Sequence, residues 1–273
     1  MTTNPRVAVI IPCYRYERWL IECVTSLRFQ LYRPITVIIS HDGCRDWLTT
    51  TTAEQMHIEG MEDGYQEIFI FGAKNLGVSH ARNEGLEKAV DAKYVWFLDA
   101  DDMAVPAGIE ARVNYLESHP DVSMVWGNAR KINVARDNWQ WGFQKCLENL
   151  DHLERYGRRL NAQSILWRRD VFGRFGGYFE GLNSKEDKEL LWRLGIHPDG
   201  PLKKRIKTHH IDADVVIYRR HPDAKHKRRV ADPKWSARCE RDFSLRIADL
   251  QEHGITRTNT RFPTWAKAAS TAK

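Results

Sequence analysis

The chain has 273 residues, of which 42% are hydrophobic and 29% are charged, and its formal net charge is +6. That length and apolar fraction can bury a sizeable core, so the composition excludes a disordered chain and favours one domain with at most an appendage. No apolar run approaches the ~20 residues of a membrane span. The N-terminus lacks the pattern of a signal peptide, and the five cysteines, which have no metal-type spacing, indicate reduced thiols in a cytoplasmic protein.

The first hundred residues alternate short apolar runs with helical periodicity. Strands are predicted at 6–11 (stopped by Pro12), 35–39, 67–71 and 94–98, and helices at 19–30, 46–61 and 77–89. Strands that alternate with helices in this way are typical of βαβ units with a parallel sheet. The first half is therefore predicted to have a nucleotide-binding type of architecture.

The second half is less regular. Helices are predicted at 108–118, 187–194 and 235–252, strands at 122–126, 164–167 and 214–218, and a glycine-rich turn at 173–181. Residues 133–159 are aromatic and charged without a clear period, which indicates loops over a site. A loose tail is predicted from Arg261 onward.

Charge is concentrated at the C-terminal end. Residues 201–273 contain 18 Lys and Arg against 8 Asp and Glu, whereas residues 1–200 are slightly acidic. A basic end predicts contact with an anionic partner such as a sugar diphosphate, nucleic acid or lipid headgroups. An ordinary solvated surface is the alternative that composition leaves open.

Three carboxylates follow the fourth predicted strand within four positions: Asp99, Asp101 and Asp102. Ligands of open α/β sheets gather at the carboxyl ends of the strands, and crowded carboxylates repel one another unless a positive charge joins them. Oxygen ligands of this kind suit a hard divalent cation such as Mg²⁺ or Mn²⁺. A solvated acidic turn is the alternative for this motif taken alone.

The order and spacing of several motifs resemble family 2 of the glycosyltransferases, which have a GT-A fold and move a sugar from a nucleotide diphosphate donor. The resemblance runs from Val7 to about His221. The motifs that carry it are VIIPCY (9–14), IISHDGCRD (38–46), NLGVSHARNEG (75–85), LDADD (98–102), GGYFEGL with KEDKELLWRL (176–182 and 185–194) and YRRH (218–221).

On the donor side, the resemblance implies that Pro12, Tyr14 and Asp42 bind the base and that Arg82 binds the diphosphate or the base. Asp99 is implied at the ribose or the metal. Because Asp42 is retained, a UDP-sugar is the expected donor. The chain departs from the family pattern where Arg15 replaces Asn, His41 replaces Asp and Cys44 replaces Ser, and these departures leave a guanosine donor open.

For the metal and the chemistry, the resemblance implies that Asp101 and His221 hold a divalent cation, with Asp99 contributing and Asp102 supporting them. Asp187 is the implied catalytic base, which would take the acceptor hydroxyl's proton in an inverting displacement. Lys185 stands where the family often has Gly, and Lys225 where it tends to have Ser, which could alter acceptor recognition.

The resulting prediction is a GT-A catalytic domain at 1–222, with a nucleotide-sugar half at 1–103 and a mixed-sheet acceptor half at 104–222, followed by a basic, helical extension at 223–273. The expected function is metal-dependent, inverting transfer to a glycan or glycolipid. The basic segment 219–229 with Trp235 leaves open a hydroxylated base in DNA as the acceptor, or peripheral contact with anionic lipid. Two alternatives come from other functional classes. One is a nucleotidyltransferase, and the other is a non-catalytic protein that binds nucleotide-sugars or nucleic acid.

Overall fold

The computed structural model of the chain describes residues 4–43, 64–134, 143–148, 150–155, 160–196, 204–222, 232–255, 260–261 and 264. Its strands are β1 (Val7–Cys13), β2 (Ile35–His41), β3 (Tyr65–Phe71), β4 (Tyr94–Phe97), β5 (Met103–Ala104), β6 (Met124–Asn133), β7 (Glu154–Arg155), β8 (Ile165–Arg168) and β9 (Thr208–Arg220). Its α-helices are α1 (Glu17–Arg28), α2 (Val78–Lys88), α3 (Gly108–Ser118), α4 (Phe143–Glu148), α5 (Asp170–Phe175), α6 (Glu186–Arg193) and α7 (Pro233–His253).

The described strands form one mixed sheet in the order β3-β2-β1-β4-β8-β6-β9-β5, with β7 paired to β6. The four strands of the N-terminal half are parallel to one another. β8 then runs antiparallel between β4 and β6, while β9 is parallel to β6 and antiparallel to β5. The parallel first half and the mixed second half are thus confirmed.

Burial on both faces explains why the central strands have continuous apolar sequences. Along β1, Val7, Val9 and Ile11 pack with α1 and α3, whereas Ala8 and Ile10 pack with α2, α5 and α6. Because β1, β2 and β4 are parallel and adjacent, the polar residues that follow them meet at one edge of the sheet.

Three of the predicted strands were too short: β9, predicted at 214–218, runs from Thr208 to Arg220, and β1 and β6 also extend beyond their predicted ends. β1 continues through Pro12 to Cys13, because the last β1–β4 pair joins Ile10 to Phe97 and the missing N–H of Pro12 therefore costs no hydrogen bond to β4. β6 continues to Asn133, since the long strand β9 pairs with it over that whole length.

Other predictions need qualification. The predicted turn at 173–181 begins inside helix α5 and becomes a turn only from Gly176. The predicted loops at 133–159 include α4 among their described parts, and the helix predicted at 46–61 lies outside the described residues.

The long C-terminal helix is confirmed as α7, and it packs on the segment around α6. Leu182, Phe243, Ile247 and Leu250 form a buried apolar cluster, with Trp192 of α6 against it. Among the described helices, none combines the length and apolarity that crossing a bilayer requires. The domain boundary at residue 222 stays a prediction.

Candidate active site

A cavity of about 750 Å³ opens where β1, β2 and β4 end and where α2 begins. The segment before α6, the end of β9 and the first turn of α7 close its other side. It is lined by Pro12, Cys13, Tyr14, Arg15, Tyr16, Trp19, Asp42, Asn75, Leu76, Gly77, Val78, Ser79, Ala81, Arg82, Asp99, Ala100, Asp101, Glu180, Leu182, Asn183, Glu186, Tyr218 and Trp235.

A buried guanidinium joins two acidic elements of this cavity. Arg82 of α2 donates to Asp99 Oδ1 at 2.9 Å and to Glu186 Oε1 at 3.1 Å, and it lies over the Tyr178 ring. The other oxygen of Asp99 accepts from the Gln163 side chain at 2.6 Å. Arg82 therefore fixes the end of β4 relative to the start of α6.

The pKa of Asp99 is raised to about 6. Burial is the largest cause and the charge of Asp101 adds to it, while Arg82 acts in the opposite direction. Asp99 is consequently poised to gain or lose its proton near neutral pH, and a nearby positive charge would favour the ionised form.

Asp101 and Asp102 contact the end of β9 in different ways. Asp101 Oδ2 lies 3.0 Å from His221 Nε2, and the imidazole is almost fully buried. Asp102 Oδ1 accepts from the Arg219 backbone N–H at 2.8 Å. Asp102 therefore holds the strand two residues before His221 and positions the imidazole beside Asp101.

The residues in this corner fit a hard divalent cation. One carboxylate oxygen each of Asp99, Asp101 and Asp102 lies within 4.8 Å of the others. Asp102 Oδ2 and His221 Nδ1 are buried without a hydrogen-bond partner within the part of the chain that the structure describes. Carboxylate oxygens with one imidazole are donors that Mn²⁺ or Mg²⁺ accepts.

The charges that line the cavity also favour a bound cation. Its lining residues include five carboxylates (Asp42, Asp99, Asp101, Glu180 and Glu186) and two guanidinium groups (Arg15 and Arg82). A diphosphate placed among them would be repelled unless a cation came with it.

The predicted base, Asp187, lies in the first turn of α6. Its Oδ1 accepts the backbone N–H of Lys188 at 2.7 Å. Burial raises its pKa and the neighbouring Glu186 raises it further, while Arg82 lowers it. Lys185, just before the helix, has φ 67, so the chain turns sharply into the acidic pair. Glu186 contributes to the cavity lining, and Asp187 is the next residue of the same helical turn but is not among the lining residues.

On the donor side, Asp42 has a structural task. Its carboxylate accepts the backbone N–H of Leu76 at 2.7 Å and of Gly77 at 2.9 Å. Gly43 follows with φ +70, and a Cβ there would lie 2.0 Å from the backbone of Lys74. Asp42 thus ties the end of β2 to the turn that starts α2, and it still faces the cavity.

The structure brings the predicted site residues together. Pro12, Tyr14, Asp42, Arg82, Asp99 and Asp101 all line the cavity. His221, which contacts Asp101, and Asp187, which follows Glu186 in the chain, are not among the lining residues. Sequence reasoning missed Glu186 as the partner of Arg82 and Gln163 as the residue that holds Asp99. The adjacency of Glu186 to Asp187 could have revealed the first, while no pattern around Gln163 signals its role.

Comparisons with known proteins agree with this geometry. The family model described as Glycosyl transferase family 2 matches residues 8–227. The uncharacterized glycosyltransferase RC0461 of Rickettsia conorii is 32% identical over 116 residues, which are 42% of this chain and 18% of that protein. Glucosyl-dolichyl phosphate glucuronosyltransferase of Haloferax volcanii is 27% identical over 236 residues, which are 81% of this chain and 69% of that protein.

Two solved structures share the fold. Residues 1–349 of Staphylococcus aureus TarS, in complex with UDP, match with a TM-score of 0.57 and 17% identity over 80% of this chain and 61% of that one. The mannosyltransferase PcManGT of Pyrobaculum calidifontis, in complex with GDP-Man and Mn²⁺, matches with a TM-score of 0.60 and 18% identity over 84% and 61%. The predicted GT-A fold is thereby confirmed.

Proposed function

The chain belongs to glycosyl transferase family 2, and we propose that its cavity transfers a sugar from a nucleoside diphosphate donor to an acceptor hydroxyl with inversion at the anomeric carbon. A UDP-sugar is the proposed donor and a divalent cation the proposed cofactor. The observation that carries this proposal is the bridge through Arg82. Through it, Asp99 and Glu186 share one guanidinium in the cavity wall, with Asp101 beside Asp99 in the lining and Asp187 next to Glu186 in the chain.

The donor end is the edge formed by β1, β2 and the start of α2. Tyr14 offers a ring for the base, and Asp42 keeps lone pairs for a base N–H beyond the two backbone bonds it accepts. Arg82 is already committed to two carboxylates, so its contribution to the diphosphate is to hold Asp99 in place. TarS binds UDP and PcManGT binds GDP-Man, and the retained Asp42 favours uridine here.

Asp99, Asp101 and His221 are the residues that would hold the cation. When bound, such a cation neutralises the charge that develops on a departing nucleoside diphosphate. The chain's own residues prepare the place: Asp102 fixes the β9 backbone, and His221 in turn orients the Asp101 carboxylate. Mn²⁺ in PcManGT supports the choice of a hard cation.

Asp187 is the proposed general base. Its raised pKa suits a carboxylate that must accept a proton from the attacking hydroxyl. Glu186 pairs with Arg82 at 3.1 Å, which suits a positioning role. The acceptor oxygen forms the new bond to the anomeric carbon as the bond to the diphosphate breaks, and its proton passes to the Asp187 carboxylate.

A glycan or glycolipid is the default acceptor, and a hydroxylated base in DNA is the second candidate because residues 201–273 carry ten more basic than acidic side chains. Binding to duplex DNA over a salt series separates the two, since neutralised phosphates give a steep salt dependence. Liposome sedimentation would reveal contact with anionic lipid instead.

The proposed reaction is tested by nucleoside diphosphate release from a panel of UDP- and GDP-sugars with Mn²⁺. Wild-type protein is expected to consume at least one donor, with UDP-sugars preferred, and the Asp101→Ala and Asp187→Asn variants are expected to lose the activity. Undiminished turnover in both variants would disprove the mechanism. A matched Asp121→Asn variant, altered at an exposed surface ion pair, controls for the substitution itself.

A further inference from the structure

Trp235 is a cavity residue that the family comparison does not cover. The family match ends at residue 227, and Trp235 lies in the first turn of α7. Its backbone N–H is capped by the Asp232 side chain at 3.1 Å, which fixes where the helix begins. The C-terminal helix thus contributes a large aromatic ring to the cavity of the catalytic domain.

The indole of Trp235 is half-buried and offers a face to the cavity. Many other aromatic side chains pack against a partner ring or cation, as Trp192 does against Phe243 at 5.1 Å and Trp19 against Arg219 at 4.2 Å. Within the described residues no ring or cation stacks on Trp235. An aromatic face of this kind is available to a ligand.

Helix α7 is held against α6, the helix that carries the acidic pair Glu186 and Asp187. Arg246 donates to Glu189 at 3.0 Å, and both side chains are buried. Lys185, which precedes the acidic pair, forms an ion pair with Glu240 of α7. Since Lys185 and Glu189 flank Glu186 and Asp187, these contacts hold α7 against the segment that carries the proposed base.

The chemistry around the ring favours a neutral polyol over a polyanion. Glu180, Asn183 and Glu186 line the same cavity as Trp235, and their side-chain oxygens can accept hydrogen bonds from hydroxyl groups. Both carboxylates are paired with arginines, Glu180 with Arg261 and Glu186 with Arg82, so these pairs leave no surplus positive charge to attract a phosphate backbone. Helix α7 itself has four basic and four acidic side chains, so it presents no cationic surplus.

We propose that Trp235 is a platform on which the ring of an acceptor pyranose stacks its C–H face, while the ring hydroxyls reach the carboxylates beside it. The acceptor would then be a saccharide whose sugar ring is recognised directly. This inference rests on the proposed transfer function and adds the residue that recognises the acceptor's sugar ring.

The test measures acceptor binding by saturation-transfer NMR on the full chain with UDP and Mn²⁺ present. The probes are methyl pyranosides of glucose, galactose, mannose and N-acetylglucosamine, with the open-chain polyol sorbitol as the ligand control. Trp235→Ala is compared with Trp235→Phe, which keeps an aromatic face, and with Leu245→Ala, an exposed position on the same helix.

At least one pyranoside is expected to bind wild-type protein and to show saturation at its ring C–H protons, whereas sorbitol does not. Trp235→Ala should raise its Kd about tenfold, as expected for loss of one aromatic face. Trp235→Phe should keep most of the affinity, and Leu245→Ala all of it. The Kd of UDP should change less than twofold in Trp235→Ala.

Three results would overturn the proposal. No pyranoside binds the wild-type protein, or Trp235→Ala binds the pyranoside with the wild-type Kd, or a hydroxymethylcytosine oligonucleotide displaces the pyranoside from the wild-type protein and binds Trp235→Ala more weakly. Because binding is read without turnover, failure of this inference is separable from failure of the transfer function. The latter would appear as absent donor consumption by wild-type protein.

Discussion

Replacing Arg82 with methionine removes a guanidinium that joins the acidic residues Asp99 and Glu186 of the cavity. The methionine keeps most of the side-chain length but leaves Asp99 and Glu186 without their shared partner. The loss should appear both in stability and in activity, because the same guanidinium holds the fold and arranges the site.

The size of the stability loss follows from exposure. Removing one partner of a buried ion pair costs about 3–5 kcal/mol. The Glu186 side chain is 12% exposed and should incur most of that penalty, whereas the Asp99 side chain, 34% exposed, can be partly solvated by water. We therefore expect Arg82→Met to lower the free energy of unfolding by about 3 kcal/mol, near the lower end of that range.

The assay combines urea unfolding with nucleoside diphosphate release per folded molecule. Arg112 supplies a matched control: its guanidinium is also fully buried, lies 3.9 Å from the centre of the Trp96 ring and donates to the carbonyls of Gly108 and Ser164. Arg112→Met should also destabilise the fold but keep its turnover, while Arg82→Met should lose at least about a hundredfold. Equal turnover in the two variants, or wild-type stability in Arg82→Met, would refute the bridging role.

The remaining predictions concern the acid pair, pH, metal and the C-terminal helix. Asp187→Asn should lower kcat by about 10²–10⁴, and more than Glu186→Gln does; the reverse order in steady-state kinetics would make Glu186 the base. Activity should rise with pH through about 6, because Asp99, whose pKa is raised to about 6, must be ionised to serve the cation; a rate that is flat from pH 5 to 7 would contradict this. Mn²⁺ should raise the melting temperature more at pH 7.5 than at pH 5.5 for the same reason, and equal shifts at the two pH values would count against Asp99 as a ligand. Glu189→Gln should destabilise the fold by about 3 kcal/mol because it removes the carboxylate shared by two buried arginines, which leaves Arg193 with backbone carbonyls and Arg246 with Asp249; an unchanged urea midpoint would exclude this stabilising role of Glu189.

The parallel half of the fold was predictable because strands that are buried on both faces have continuous apolar sequences. The runs that became β1, β2 and β4 are apolar at nearly every position, and their polar ends had to meet at one edge of the sheet. β6 was predicted too short because its second half mixes Asn128, Arg130 and Lys131 with apolar residues without regular alternation, and it forms a strand by pairing with the distant β9 and with β7.

Much of the candidate site was also predictable, but its internal contacts were not. Motif resemblance named Arg82, Asp99 and Asp187, yet it assigned Arg82 to the donor's diphosphate or base, whereas the guanidinium is engaged by two carboxylates. Gln163 lies far along the chain from Asp99, and Glu189 lies far from Arg246. Glu189 also lies on a helix face whose sequence does not distinguish it. Such pairings depend on three-dimensional packing, and residue spacing does not encode them.

The proposed division of labour between Asp101 and Asp187 is tested most directly by measuring UDP binding and donor turnover on the same preparations with and without Mn²⁺. Asp101→Ala should lose the Mn²⁺-dependent part of the UDP affinity together with turnover. Asp187→Asn should bind UDP as wild type does and lose only turnover. Wild-type UDP binding and turnover in Asp101→Ala, or loss of UDP binding in Asp187→Asn, would contradict the assignment of metal holding to one carboxylate and proton transfer to the other.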